Sequence, residues 1–266
     1  MCCFSGRVDR VENTRIFARR VDAQTQALAY AMRVSADDDV AMVLPLPTDP
    51  AAGEDAVRFV DLSGASELFY ALDALYPSRE DRLAPQALRG GRTTLAVHTV
   101  GAFEASFVPS ADDFARLDAR FRLAPSIAEA LCARERFGFA VFQLRGLAPT
   151  PAAPRPWWRR VLSRAPVAPT PRGQAFHPMA LTFRTRTPGA LFLPTVHVHD
   201  GTLPATARFD HTLYVQGGAD ASWSESARPP HEDLVRRAKG ILTGEAVVWR
   251  RALQGELPNR DVIVSA

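Results

Sequence analysis

Residues 14–44 read TRIFARRVDAQTQALAYAMRVSADDDVAMVL, and the predicted fold class depends on this stretch. It contains three apolar runs, Thr14 to Arg19, Gln26 to Val34 and Val40 to Leu44, which polar clusters separate. Short runs of this kind, bounded by turn residues, are typical of β-strands. The stretch therefore predicts three consecutive strands arranged as a meander.

The rest of the chain continues this pattern of strands and adds a few helices. Further strands are predicted at Val57 to Val60, Phe103 to Val108, Phe137 to Leu144, Met179 to Arg184, Leu191 to His199 and Phe209 to Gln216. Helices are predicted at Glu67 to Tyr76, Asp112 to Arg120, Pro125 to Arg134 and Pro230 to Ala238. We therefore expect an α+β protein of mainly antiparallel sheet with a few peripheral helices.

A segment rich in proline and arginine interrupts this organisation. Residues 149–172 contain seven prolines and five arginines and show no hydrophobic period, which predicts a linker or a long surface excursion. The segment separates an N-terminal α+β region, residues 1–148, from a β-rich C-terminal region, residues 173–266, that holds a histidine cluster.

Composition narrows the classes of function. The 266 residues carry a formal net charge of +3, and Lys239 is the only lysine among 32 basic residues. The arginines are scattered among acids, which argues against nucleic-acid binding, and their excess over lysine is typical of a GC-rich bacterial genome. No apolar run approaches the roughly 20 residues of a transmembrane span, and no leader pattern is present. We expect a cytoplasmic protein, where thiols stay reduced. No feature of the sequence predicts an oligomeric state.

The chain opens with Met1-Cys2-Cys3-Phe4. The side chain of Cys2 is small enough for removal of Met1, which would leave an N-terminal cysteine. Such a residue joins a thiol to a free α-amine, an arrangement that suits a self-activated nucleophile or a metal chelate. Cys132 lies on the apolar side of a predicted helix and is interpreted as a buried structural thiol, so no disulfide framework is expected.

The densest group of possible metal ligands is Val196-His197-Val198-His199-Asp200-Gly201. Residues two apart on a strand share a face, roughly 6.5 to 7 Å apart, so one ion can span both imidazoles. His211 is expected on the next strand. An antiparallel pairing with an even residue sum, for example 408, places His197 opposite His211, whereas a slip of one residue would separate them.

Three imidazoles on a buried face favour a copper or zinc site. Cys2 and Cys3 are candidate further ligands. Asp200 or Asp210 is a candidate fourth ligand, or an acceptor that orients an imidazole. The alternative is that each histidine packs separately and bonds a backbone carbonyl.

The Pro/Arg-rich segment contains Trp157-Trp158-Arg159-Arg160. Tryptophans beside arginines can dock on a membrane surface or a protein partner. The alternative is that this patch covers apolar surface of its own domain.

Part of the chain resembles an uncharacterised bacterial family over about the first 80 residues. The resemblance rests on Thr14 to Arg19, Ala29-Tyr30, Val40 to Pro47 and Phe69. Secreted relatives carry a cysteine near the mature N-terminus, then two apolar strands and a Leu-Pro-x-Pro pattern. The resemblance implies that Cys2 and the Leu44-Pro45-Leu46-Pro47 loop are neighbours, and it implies no activity. This chain departs from the family in its missing leader and in its His-x-His-Asp segment.

Three functional hypotheses follow. The first is a metal-binding protein, in the enzymatic case one that activates water or dioxygen. The second is an amidohydrolase that acts on a small molecule or peptide, with Cys2 as nucleophile, its α-amine as base, and a histidine or Asn13 at the oxyanion. The third is a non-enzymatic interaction module that uses Trp157 and Trp158. Serine-hydrolase, P-loop and Rossmann motifs do not occur.

Overall fold

A computed structural model describes residues 2–76, 104–134, 137–144, 174–198 and 202–265. Strands dominate, as the sequence predicts. The strands are β1 (Cys2–Phe4), β2 (Arg10–Arg20), β3 (Thr25–Ser35), β4 (Val40–Leu46), β5 (Val57–Asp61), β6 (Glu104–Val108), β7 (Gly138–Leu144), β8 (Gln174–Ala175), β9 (Met179–Arg184), β10 (Ala190–Leu193), β11 (His197–Val198), β12 (Thr206–Gln216), β13 (Ser224–Glu225), β14 (Val248–Pro258) and β15 (Val262–Ser265). The α-helices are α1 (Leu68–Asp73), α2 (Pro125–Arg134) and α3 (Glu232–Arg237).

Two sheets contain thirteen of the fifteen described strands. Sheet A has the strand order β11-β1-β4-β7-β6, and sheet B has the order β13-β14-β12-β2-β3-β9-β5 with β8 beside β3. Strands β10 and β15 form a separate antiparallel pair. The described pairings are antiparallel except for β1 with β11 and β2 with β12, which are parallel.

The apolar side chains alternate between layers, as strand geometry requires. On β2, Ile16 belongs to the core between the two sheets, whereas Phe17 packs on the outer face of sheet B with α1 and α3. On β4, Met42 enters the same central core, whereas Val43 packs on the outer face of sheet A with α2. The result is a β-sandwich with helices on its two outer faces.

The predicted meander is wrong at its third strand. Strands β2 and β3 form the expected antiparallel hairpin, but β4 crosses to sheet A and pairs with β1 and β7. All seven residues of β4 are buried, so this strand needs a neighbour on each side and cover on both faces. In sheet B, β3 is already occupied by β2 on one side and by β8 and β9 on the other.

Other element boundaries also differ from the predictions. Asp112 to Arg120 contains two short 3-10 helices, Asp112–Arg116 and Ala119–Phe121, in place of an α-helix. The predicted strand from Leu191 to His199 is broken into β10 and β11 around Pro194, because proline has no N–H for a sheet ladder. The helix Pro125–Arg134 is confirmed.

The N-terminal and C-terminal regions share both sheets. Strand β1 pairs with β11, β2 pairs with β12, and β3 pairs with β9. The described parts of residues 1–148 and 173–266 are therefore interleaved, whereas residues 149–172 lie outside the described part of the chain. No helix within the described ranges is long and apolar enough to cross a membrane.

Gly138, at the start of β7, has two neighbouring side chains where its own Cβ would lie. A Cβ atom at this position would lie 2.6 Å from both Phe107 Cζ and Thr48 Oγ1. Because overpacking of this kind displaces side chains and backbone, we expect Gly138→Ala to lower the free energy of unfolding by about 1–3 kcal/mol. Urea denaturation followed by circular dichroism measures this change.

Gly64→Ala is the matched control, since its Cβ meets no atom within 4 Å. Its effect should be within about 0.5 kcal/mol of zero. Equal destabilisation by both variants would contradict the close packing at Gly138.

Candidate functional site

Two of the predicted histidines meet inside the molecule. The Nε2 atoms of His197, on β11, and His211, on β12, lie 3.2 Å apart, with ring centroids 4.8 Å apart. His211 is 1% exposed and His197 is half-buried. At this distance one Nε2 donates a hydrogen bond and the other accepts it. One Nε2 therefore carries a hydrogen and the other does not.

The histidines reach each other by a route other than the predicted one. Strands β11 and β12 are not paired: β11 pairs with β1, whereas β12 lies between β2 and β14. The predicted register with a residue sum of 408 is therefore wrong. The predicted burial of the strand face that carries His211 is confirmed, because His211, Leu213 and Val215 are all buried. The two rings contact each other across the interior between sheets A and B.

Phe209 completes a cluster of three rings. Its ring centroid lies 4.5 Å from that of His197 and 5.1 Å from that of His211. Phe209 is 3% exposed and belongs to the central core. This apolar side chain lowers the local dielectric around the imidazole pair, which strengthens the hydrogen bond between the two rings.

Asn259 holds the main chain of His197. Its Oδ1 accepts the His197 N–H at 2.7 Å, and its Nδ2 donates to the carbonyl oxygens of His197 and Pro204, both at 3.0 Å. The amide thus makes the paired hydrogen bonds that a neighbouring strand would make. Asp261 continues this support, since its Oδ1 accepts the backbone N–H groups of Thr195 and Val196.

Sequence reasoning missed Asn259. The Leu257-Pro258-Asn259 stretch has the composition of an exposed turn, yet Asn259 is 5% exposed. Asparagine after proline also favours turns whose side chain bonds nearby backbone, but here the bonded backbone is 62 residues away in the sequence. Sequence composition does not reveal that distant partner.

Asp210 lies close to the pair without joining it. Its Oδ2 accepts the backbone N–H of Asn13 at 2.6 Å, and its Oδ1 lies 3.8 Å from His211 Nδ1, beyond hydrogen-bond distance. Burial raises the pKa of Asp210, and the charge of Glu12 raises it further, against the lowering effect of the bond from Asn13. The role of Asp210 as a ligand, or as an acceptor for an imidazole, stays a prediction.

The same part of the chain opens a groove beside His197. Asn13 has a left-handed backbone, φ 54°, within a bulge of β2 between Glu12 and Arg15. Pairing of β2 with β12 begins only at Arg15, so the two strands separate before that point. A groove of about 620 Å³ lies there, lined by His197, Thr14 and the charged side chains Asp9, Arg10, Glu12, Arg208 and Asp210. The groove gives solvent access to His197.

The two N-terminal cysteines stand differently toward the imidazole pair. Strand β1 places the Cα of Cys2 level with that of His197 in the parallel ladder. Cys3 is 0% exposed and packs with Val43 on the outer face of sheet A, under α2. Sheet A therefore lies between the Cys3 side chain and the imidazole pair, and the role of Cys3 as a metal ligand stays a prediction. Strand β1 also lies beside β4, the strand that carries Leu44.

Several predicted site residues lie outside the described part of the chain. They are His199, Asp200, Trp157, Trp158, Arg159 and Arg160. Within the described ranges, no group of three or more His, Cys, Asp or Glu side chains is arranged to hold a metal ion. The predicted copper or zinc site with three histidines, and the predicted nucleophile Cys2, stay predictions.

Comparisons with known proteins bear on the fold. No protein-family model and no curated protein matches the sequence. The crystal structure of baculovirus P35 superposes with a TM-score of 0.50 at 12% identity, covering 100% of this chain and 99% of P35. A mutated baculovirus P35 solved after caspase cleavage gives a TM-score of 0.45 at 14% identity, covering 97% of this chain and 98% of that one. P35 in the caspase-8/P35 complex gives 0.42 at 11% identity, with 96% of each chain covered. The first likeness shows a shared fold over the whole chain.

The hydrogen bonds from the Asn259 side chain to the main chain of His197 and Pro204, here named the Asn259 clamp, lead to a stability prediction. In Asn259→Ala, the N–H of His197 and two carbonyl oxygens lose their partners, so we expect the free energy of unfolding to fall by about 2–3 kcal/mol. Urea denaturation measures the loss, and hydrogen exchange at Val196 and His197 should rise with it.

Thr206→Val is a suitable control, because it removes an exposed side-chain hydrogen bond to Glu256. We expect a change within about 0.5 kcal/mol there. A loss at Asn259 no larger than at Thr206 would mean that the clamp contributes nothing to stability.

Proposed function

We propose that this chain binds a cysteine protease of the caspase type, is cut by it, and releases it slowly. The observation that carries the proposal is the whole-chain fold likeness to baculovirus P35, a protein whose structures include a form after caspase cleavage and a complex with caspase-8. The proposal belongs to the same class as the interaction-module hypothesis, with a protein as partner.

The topology supports slow release after a cut. Strands β1, β2 and β3 of the N-terminal region pair with β11, β12 and β9 of the C-terminal region. Near the middle of sheet B, the β2–β12 ladder pairs residues 15–19 of the first region with residues 212–216 of the second. A single break in the chain between these strands leaves two fragments that are still hydrogen-bonded to each other in both sheets.

The central core adds to this cohesion. The side chains between the sheets come from both regions, among them Ile16, Leu28 and Met42 from the first and Leu181, Phe183 and Leu213 from the second. Separating the fragments would expose this apolar surface to water, which costs a free energy of about 25 cal/mol per Å². A protease that has cut the chain would therefore face a product that keeps its shape and its contacts with the protease, so dissociation would be slow.

Inhibition assays test the proposal directly. Purified full-length protein is incubated with caspase-8 and with a panel of caspase-type proteases, and residual hydrolysis of a fluorogenic peptide is followed with time. We expect protease activity to fall in proportion to added protein, with one cut detected by mass spectrometry. The two fragments should elute together with the protease in size-exclusion chromatography and separate only in denaturant.

A protease whose catalytic cysteine has been alkylated serves as the control. It should leave the chain uncut, which assigns the cut to the active site of the added protease. Full protease activity together with an uncut chain across the panel would overturn the proposal. Rapid cutting followed by separation of the fragments would show an ordinary substrate.

A further inference from the structure

We infer that His197 and His211 together bind one zinc or copper ion through their Nε2 atoms, and that this ion ties sheet A to sheet B. The inference concerns the interior of the sandwich and does not depend on protease binding. It concerns two of the three histidines of the predicted metal site and gives the ion a structural role.

The distance between the two nitrogens fits a shared ion. Two metal–nitrogen bonds of about 2.0–2.1 Å at a tetrahedral angle place their nitrogens about 3.3 Å apart. His197 Nε2 and His211 Nε2 lie 3.2 Å apart. Small rotations of the rings would therefore turn the hydrogen-bonded pair into a pair of ligands, without movement of the strands.

Binding of the ion requires one histidine to change its tautomer, and no other covalent bond changes. In the hydrogen-bonded pair, one Nε2 carries a hydrogen and the other presents a lone pair. When the ion binds, that hydrogen moves to Nδ1 of the same ring, which stays neutral, and both Nε2 lone pairs face the metal. Asp210 Oδ1, 3.8 Å from His211 Nδ1, is the nearest described carboxylate that could accept such an N–H after a small shift.

The surroundings hold the two ligands in place and leave a path to solvent. Asn259 holds the main chain of His197 on both its N–H and C=O sides, and Phe209 packs against both rings. His211 is buried, whereas His197 lines the groove at the start of β2. An ion would enter from the groove, and water from the groove would fill the coordination positions that the two imidazoles leave open.

The position of the site explains what the ion would do. Among the described strands, β11 lies at the edge of sheet A, whereas β12 lies inside sheet B between β2 and β14. Strand β11 also carries one side of the parallel ladder to β1 at the N-terminus. An ion between His197 and His211 would therefore link an edge strand of sheet A, β11, to an inner strand of sheet B, β12. It would also stabilise the position of β11 as the pairing partner of β1.

Titration of tag-free, metal-free protein with Zn²⁺ by calorimetry tests the inference. We expect one ion per chain and a rise of Tm of several degrees when the ion is in excess of its Kd. His197→Gln and His211→Leu should each weaken Zn²⁺ binding at least tenfold and remove the rise of Tm. His231→Gln, which replaces an exposed histidine at the start of α3, is the matched control and should bind Zn²⁺ as the unchanged protein does.

Spectroscopy on the unchanged protein keeps the inference testable if a variant fails to fold. Electron paramagnetic resonance with Cu²⁺ should show coupling to two imidazole nitrogens, and long-range ¹H–¹⁵N spectra with Zn²⁺ should shift both Nε2 resonances. Asn259 is a positioning residue for this site, so Asn259→Ala should lower the affinity for Zn²⁺ by roughly tenfold. Absence of Zn²⁺ binding, or binding that persists in His197→Gln, would overturn the inference and leave a hydrogen-bonded imidazole pair alone.

Discussion

The parallel pairing of β2 with β12 is the constraint on which the rest of the structure depends. It joins residues near the start of the chain to residues nearly two hundred positions later, at the centre of sheet B. Parallel neighbours require a crossover connection, and here the crossover contains most of the other strands. Once this ladder is set, β3 and β14 occupy the outer sides of the two strands, and the inner face of sheet B is defined.

The imidazole pair is a consequence of that ladder. Pairing with β2 places His211 on the inner face with Leu213 and Val215, where sheet A covers it. The bulge at Asn13 ends the ladder just before His211, so the strands part and the groove reaches His197. The end of the β2–β12 ladder thus accounts for an imidazole pair with one buried ring, His211, and one half-buried ring, His197, beside an open groove.

The same topology connects the fold to the proposed protease binding. A chain whose halves alternate in two sheets remains one body after a single break, since strand pairs and core contacts cross the break. The likeness to baculovirus P35 covers the whole chain, although only 12% of residues are identical. Few identities are needed because alternating apolar residues of suitable size suffice to build such sheets.

Local pattern in the sequence was sufficient to find most strands and the helix Pro125–Arg134, because alternation and chain punctuation act over a few residues. It also placed His211 on a buried face, since parity along one strand is a local property. Local pattern did not predict that β4 belongs to sheet A, or that β11 and β12 belong to different sheets. Nor did it predict the hydrogen bond between Asn259 and His197. Those features depend on which distant strands pair, and the free energy of that choice comes from burial of apolar surface across the whole sandwich. Sequence pattern is therefore enough to predict most of the strands and the buried face of β12, whereas the choice of strand partners, and with it the contact between His197 and His211, is made by packing of the whole sandwich.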